Sequence, residues 1–98
     1  LARQGNQVVV AQAADELLNV SGIEASFVLA KIGHKIVISG RSLDSINVQL
    51  ILEKLGGGGH KGAAGASVKG ELNEVKETVL NAVKTVMEES YAGSDTAR

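Results

Sequence analysis

Between Gly56 and Gly65 the chain places Gly56, Gly57, Gly58, Gly59, Gly62 and Gly65, half of its 12 glycines, around His60 and Lys61. Successive residues without a Cβ let backbone N–H groups turn toward an anion at close range. His60 adds a hydrogen-bond donor at the edge of such a cradle, and Lys61 adds long-range attraction. The next residues, Ala63, Ala64, Gly65 and Ala66, keep the following segment thin, so that a base or sugar can approach it. Upstream, Arg41 stands beside Ser42, and its planar guanidinium suits a phosphate better than a lysine would. The chemistry these residues support is the binding of a phosphate or nucleotide.

Three other readings of the glycine block compete. A flexible linker would be serine-rich and would not join a helix to a strand inside one domain. A Walker phosphate loop needs Gly-Lys-Ser/Thr between strand and helix; here Lys61 precedes Gly62 and no hydroxyl follows. Gly57, Gly59 and Gly62 satisfy the spacing of a dinucleotide fingerprint, but in a helix-loop-strand context rather than strand-loop-helix. From the residues alone, His60 as a capping or core histidine and Arg41 as a solvated strand end remain open.

The elements that must position these groups follow from pattern. Residues 3–19 carry Val8, Val9, Ala11, Ala13, Ala14, Leu17 and Leu18 and predict a first helix. Residues 24–32 and 35–42 predict two antiparallel strands, and Gly33-His34 between them suits a type II′ hairpin. A second helix is expected from Ser45 to Leu55, capped by Ser42 or Asp44, with Ile46, Leu50, Ile51 and Leu55 buried and Gly56 as its C′ residue. Ala63 to Lys69 reads as a short strand. A last helix from Glu71 to about Ser90 buries Leu72, Val75, Val79, Val83 and Val86. Residues 91–98 read as a frayed tail. The expected fold is α/β, a small mixed sheet with flanking helices in the order α-β-β-α-β-α, filling residues 1–90 as one domain.

Composition fits this. The 98 residues carry 10 basic and 11 acidic side chains and 44% hydrophobic residues, which describes a globular rather than a disordered chain. The absence of cysteine removes disulfides, a thiolate zinc site and a cysteine nucleophile. The apolar runs fall far short of a membrane span. Charge is unevenly spread: Arg41, Lys54, Lys61 and Lys69 surround the glycine block, whereas Glu71, Glu74, Glu77, Glu88 and Glu89 load the last helix. The chain opens on Leu1 and is expected to be a piece of a larger protein.

The string Gly56-Gly57-Gly58-Gly59-His60, two residues, then Ala63-Ala64-Gly65 resembles the signature of the DHH-associated domain, subtype one, the C-terminal lobe of DHH-family phosphoesterases. Arg41-Ser42, the Asn47-Val48 pair and the hydrophobic helix leading into the glycines match the same family, over about residues 23–87. The resemblance implies an upstream DHH domain that binds two manganese ions and performs the hydrolysis, while this lobe closes over the cleft and holds the nucleotide. It implies that Arg41 holds a substrate phosphate, that Gly57, Gly58 and Gly59 offer N–H groups and close approach, and that His60 donates to a phosphate oxygen, as a transition-state donor near the metals. Ser42 and Asn47 would bind or support the site through hydrogen bonds. The chain has only Asp15, Asp44, Asp95, His34 and His60 among its aspartates and histidines, so no two-metal site is expected in it.

Within the family, residues 23–28, 41–49 and 53–55 are most similar to GdpP-type cyclic-di-AMP phosphodiesterases, which are membrane-anchored with cytoplasmic catalytic domains. Lys61-Gly62-Ala63-Ala64-Gly65 is closer to the form seen in oligoribonucleases and RecJ-like exonucleases. The implied substrate is therefore a cyclic dinucleotide or a short oligonucleotide. A rival reading is a nucleic-acid-binding module without catalysis, similar to the C-terminal domain of alanyl-tRNA synthetases; Phe27 and Tyr91, the only aromatics, argue against strand binding by stacking. The amphipathic last helix also permits a homodimer.

Overall fold

The computed structural model describes residues 7–43 and 45–96, the side chains of 90–96 excepted. The elements are α1 (Gln7–Leu18), β1 (Ala25–Ile32), β2 (Lys35–Ser42), α2 (Val48–Glu53), β3 (Gly58–His60), β4 (Ala63–Lys69) and α3 (Leu72–Thr96). The α/β sandwich with flanking helices is as expected, with two differences in the sheet. It has four strands in the order β1-β2-β4-β3, and all three ladders are antiparallel rather than mixed. The added strand is the glycine block itself. Gly58, Gly59 and His60 carry no apolar alternation and little intrinsic strand preference, so only their pairing with Ala63, Ala64 and Gly65 makes them a strand.

The first hairpin forms because Gly33 adopts φ 63° while His34 keeps a negative φ, the pattern of a type II′ turn. Strand alternation then sorts the sheet into two faces. On one, Ile36 and Ile38 are fully buried with Val48, Ile51 and Leu52 of α2 and with Val75, Val79, Ala82 and Val86 of α3, and Phe27 and Leu29 pack against this core. Gly40 is part of that packing: a Cβ there would stand 2.9 Å from the Phe27 ring. The other face carries α1, whose Val10 and Ala14 are buried, and Ser26 Oγ donates to the Ala14 carbonyl at 2.7 Å.

The start of α2 differs from the sequence pattern because a different residue caps it. Asn47, not Ser42 or Asp44, caps α2: its Oδ1 accepts from the Leu50 N–H at 3.2 Å. Ser42 Oγ instead accepts from the Ile46 N–H in the preceding turn, and Asp44 lies outside the described residues. The later start shifts the buried stripe to Val48, Ile51 and Leu52 and leaves Leu50 exposed. Helix α1 begins at Gln7, with residues 1–6 outside the described part. Helix α3 continues past Ser90 to Thr96, through most of the stretch expected to fray. Its N-terminal Leu72, expected on the buried face, is exposed. Among the described residues, no helix is long and apolar enough to cross a membrane.

Candidate functional site

Helix α1 covers β1 and β2 but not the far side of the sheet. The uncovered part is a cleft of about 690 Å³, floored by β2 and β4, with Gln7 and Ala11 of α1 on one side and Gly56, Gly57, Gly58 and Gly59 on the other. That volume lies within the roughly 300–1,000 Å³ usual for small-molecule sites. Arg41 lines it; Ser42, Asn47 and His60 do not.

Strand register sets the arrangement of the chemical groups. Arg41 pairs with Ala63 across the β2–β4 ladder, and His60 pairs with Ala63 across the β3–β4 ladder. Directly opposed residues of an antiparallel sheet share a face, so Arg41 and His60 form one row with a methyl group between them. Two strand spacings separate their Cα atoms by about 10 Å. The ladder thus brings Arg41 and His60 to the two sides of Ala63, with His60 outside the cleft lining.

Both side chains are oriented by neighbours. Arg41 is only 17% exposed; its Nε donates to Asp15 Oδ1 at 2.7 Å and its Nη1 to the Gly40 carbonyl at 2.9 Å. Two of its five N–H bonds are thus fixed within the chain. At the exposed His60, Nδ1 accepts from the Gly62 N–H at 3.2 Å. A ring nitrogen that accepts carries no proton, so the neutral ring holds its proton on Nε2 and presents a donor there.

The turn bearing His60 is tied down through its backbone. The Lys61 carbonyl accepts from the Val48 N–H at 3.1 Å, and the Gly62 carbonyl from the Ser42 N–H at 3.0 Å. Ser42, 6% exposed, and Asn47, at the cap of α2, therefore hold the residues that anchor this turn rather than facing the cleft. Neither residue lines the cleft.

The glycines divide by task. Gly56 (φ 84°) and Gly57 close α2 in a Schellman motif: the Gly57 N–H donates to the Leu52 carbonyl at 2.8 Å and the Gly56 N–H to that of Glu53 at 3.0 Å. The Gly57 N–H expected to meet an anion is therefore already engaged. What Gly57 and Gly59 supply is close approach, since a Cβ would lie 2.1 Å from the Gly65 carbonyl oxygen at the first and 2.4 Å from that of Ala63 at the second. Gly58 meets no such obstacle.

Asp15, Ser39 and the α1 wall were not singled out from sequence. A signal existed: Gln7, Ala11 and Asp15 recur at i, i+4 and i+8, one helix face, and that face looks onto the cleft and Arg41. Among the described residues no group of three or more His, Cys, Asp and Glu side chains is gathered where it could hold a metal ion. The described donor set does not fit a two-metal centre.

The profile of the DHHA1 domain matches residues 2–89. The chain belongs to the DHHA1 family. This DHHA1 domain is 55% identical over 64 residues to the cyclic-di-AMP phosphodiesterase GdpP of Geobacillus thermodenitrificans, covering 64% of the chain and 10% of that protein. It is 45% identical over 78 residues to the cyclic-di-AMP phosphodiesterase PdeA of Listeria monocytogenes, covering 78% of the chain and 12% of the relative. Over 66 residues it is 44% identical to the bifunctional oligoribonuclease and PAP phosphatase NrnA of Thermus thermophilus, covering 66% of the chain and 20% of the relative. The DHHA1 domain thus spans a fifth or less of the length of these relatives.

Proposed function

We propose that this DHHA1 domain is the substrate-binding lobe of a manganese-dependent phosphodiesterase that hydrolyses cyclic-di-AMP or short oligonucleotides. The observation that carries the reading is the Arg41–Ala63–His60 row at the glycine-walled cleft. Arg41 offers charge-assisted hydrogen bonds to a phosphate, and the His60 Nε2–H offers a donor to another oxygen of the same group. Similarity to GdpP, PdeA and NrnA supports the phosphodiester class. In this reading the manganese ions and the hydrolytic step belong to a DHH domain upstream in the parent, a cytoplasmic unit of a protein anchored to a membrane, and the isolated lobe is inactive.

The domain's own residues bind and orient. Arg41, held by Asp15, fixes the phosphate; the backbone of Gly57 to Gly59 allows it to sit close; His60 stabilises charge on its oxygen. The rival nucleic-acid module is disfavoured because Phe27 packs against the core and offers no stacking surface. The test is hydrolysis of cyclic-di-AMP and a linear dinucleotide by the parent protein with Mn²⁺. Arg41→Ala and His60→Ala should each lose most activity. Turnover of neither substrate, or variants equal to the parent, would overturn the reading; tight, salt-sensitive binding of long RNA would favour the module.

A further inference from the structure

We propose that the outer edge of β1 and the flank of α1 above it form a self-complementary surface through which two copies of this chain pair, joining their sheets. Among the described strands β1 pairs only with β2, so the other rim of this eight-residue strand offers N–H and C=O groups to an added strand. Helix α1 lies across β1 and β2 and turns Gln7, Ala11 and Asp15 toward the cleft and Arg41. Two residues further along a helix is a rotation of about 200°, so Val9, Ala13 and Leu17 form the opposite flank, on the side of the β1 edge. Val9 and Leu17 are exposed there, as are Val20 and Ile23 in the connection to β1.

This surface fits a second copy of itself. A strand added antiparallel to β1 lies about 4.8 Å away, and each α1 sits about half a strand spacing inside its own β1, which sets the two helices about 10 Å apart, the distance of packed helices. The flank is symmetric about Ala13, with Val9 and Leu17 four residues to either side. Each Val9 therefore meets the Leu17 of the other copy, and the small Ala13 side chains face each other at the centre. In a two-fold register centred on Val28, Phe27 opposes Leu29 and Lys31 opposes Ala25, so no like charges are set opposite one another. The same register brings Ile23 opposite Gly33 of the other copy, beside a hollow of about 550 Å³ lined by Gln7, Val8, Val9 and Ile32. The exposed Val20 and Ile23 are apolar knobs for that hollow, and an isologous contact uses knob and hollow twice. These side chains and the strand edge amount to on the order of 600 Å² per copy, about 1,200 Å² for the pair, which reaches the lower range of specific interfaces.

The test uses the full 98-residue chain. Sedimentation velocity at concentrations up to about 0.5 mM, where an interface of this size assembles, should show a monomer–dimer equilibrium. Leu17→Glu puts a charge into the contact twice. It should raise the dimer dissociation constant about 10-fold or more and leave the circular dichroism of the monomer unchanged, because Leu17 is exposed in a single copy. The chain has no cysteine, so Ala13→Cys reports the pairing directly. Facing Ala13 Cα atoms at the helix contact fall within the roughly 4.4–6.8 Å of a disulfide, and mild oxidation should link the copies. Leu80→Cys, at an exposed position of α3, should not link them. The cysteine arm decides the question even if Leu17→Glu unfolds the chain. A chain that stays monomeric, a dimer that a folded Leu17→Glu leaves intact, or linking through Leu80 and not Ala13 would overturn the proposal, the last in favour of pairing through α3.

Discussion

Arg41 Nε and Asp15 Oδ1 stand 2.7 Å apart although 26 residues separate them in the chain. The contact joins α1 to the end of β2 at the mouth of the cleft. Asp15 is 61% exposed, and an ion pair with an exposed partner contributes about 0–1 kcal/mol to stability. Its effect is on direction: it fixes the plane of the Arg41 guanidinium.

Replacing Asp15 should therefore separate orientation from folding. Asp15→Ala is expected to lower stability by less than about 1 kcal/mol. In the parent it should raise KM about 3- to 10-fold, as one oriented hydrogen bond is lost, with kcat little changed. Asp15→Asn keeps an acceptor oxygen and should recover part of the loss. Urea unfolding and steady-state kinetics on the same proteins check both arms.

The glycines should respond to alanine in two ways. Gly57→Ala and Gly59→Ala drive a methyl group into the backbone of β4 and should cost about 1–3 kcal/mol or more, the usual penalty of overpacking. Gly58→Ala meets open space and should be neutral or stabilise by about 0.4–1 kcal/mol through the unfolded chain. Thermal unfolding of the three variants side by side distinguishes them.

Asn47→Ala removes the N-cap of α2 and is expected to cost about 1 kcal/mol. Because the Val48 N–H beside it holds the Lys61 carbonyl, phosphate affinity should fall with stability rather than independently of it. Asn47→Asp, another good cap, should restore both. Calorimetric titration with a dinucleotide at matched fractions of folded protein checks this.

At His60, asparagine separates the two ring nitrogens. Asparagine can place an oxygen where Nδ1 accepts from Gly62 but cannot reach as far as Nε2. His60→Asn should keep the unfolding midpoint within about 0.5 kcal/mol, as surface substitutions usually do, and still lose most phosphate affinity. Equal affinity for phosphate in the two proteins would place the donor elsewhere.

Legibility in the sequence followed the range of the interaction. The β1–β2 hairpin was readable because its signal, Gly33-His34 between two apolar runs, is local. So was the Gly56 cap. The strand of Gly58 to His60 was not, since a segment nearly without side chains has no pattern to read. The start of α2 was misplaced because Ser42, Asp44 and Asn47 are all competent caps and only tertiary packing chooses among them. Nothing near residue 15 points to residue 41, and Ser39 reads as an ordinary strand serine until the fold shows a cleft above it.

Strand β3 is three residues long and forms one edge of the sheet, while the opposite edge, β1, has eight. Short edges are poor templates for another strand. Growth of the sheet by edge-to-edge association is thereby directed to the β1 side, away from His60. The edge beside His60 is thus the one least suited to strand addition, and the longer edge lies across the sheet from it.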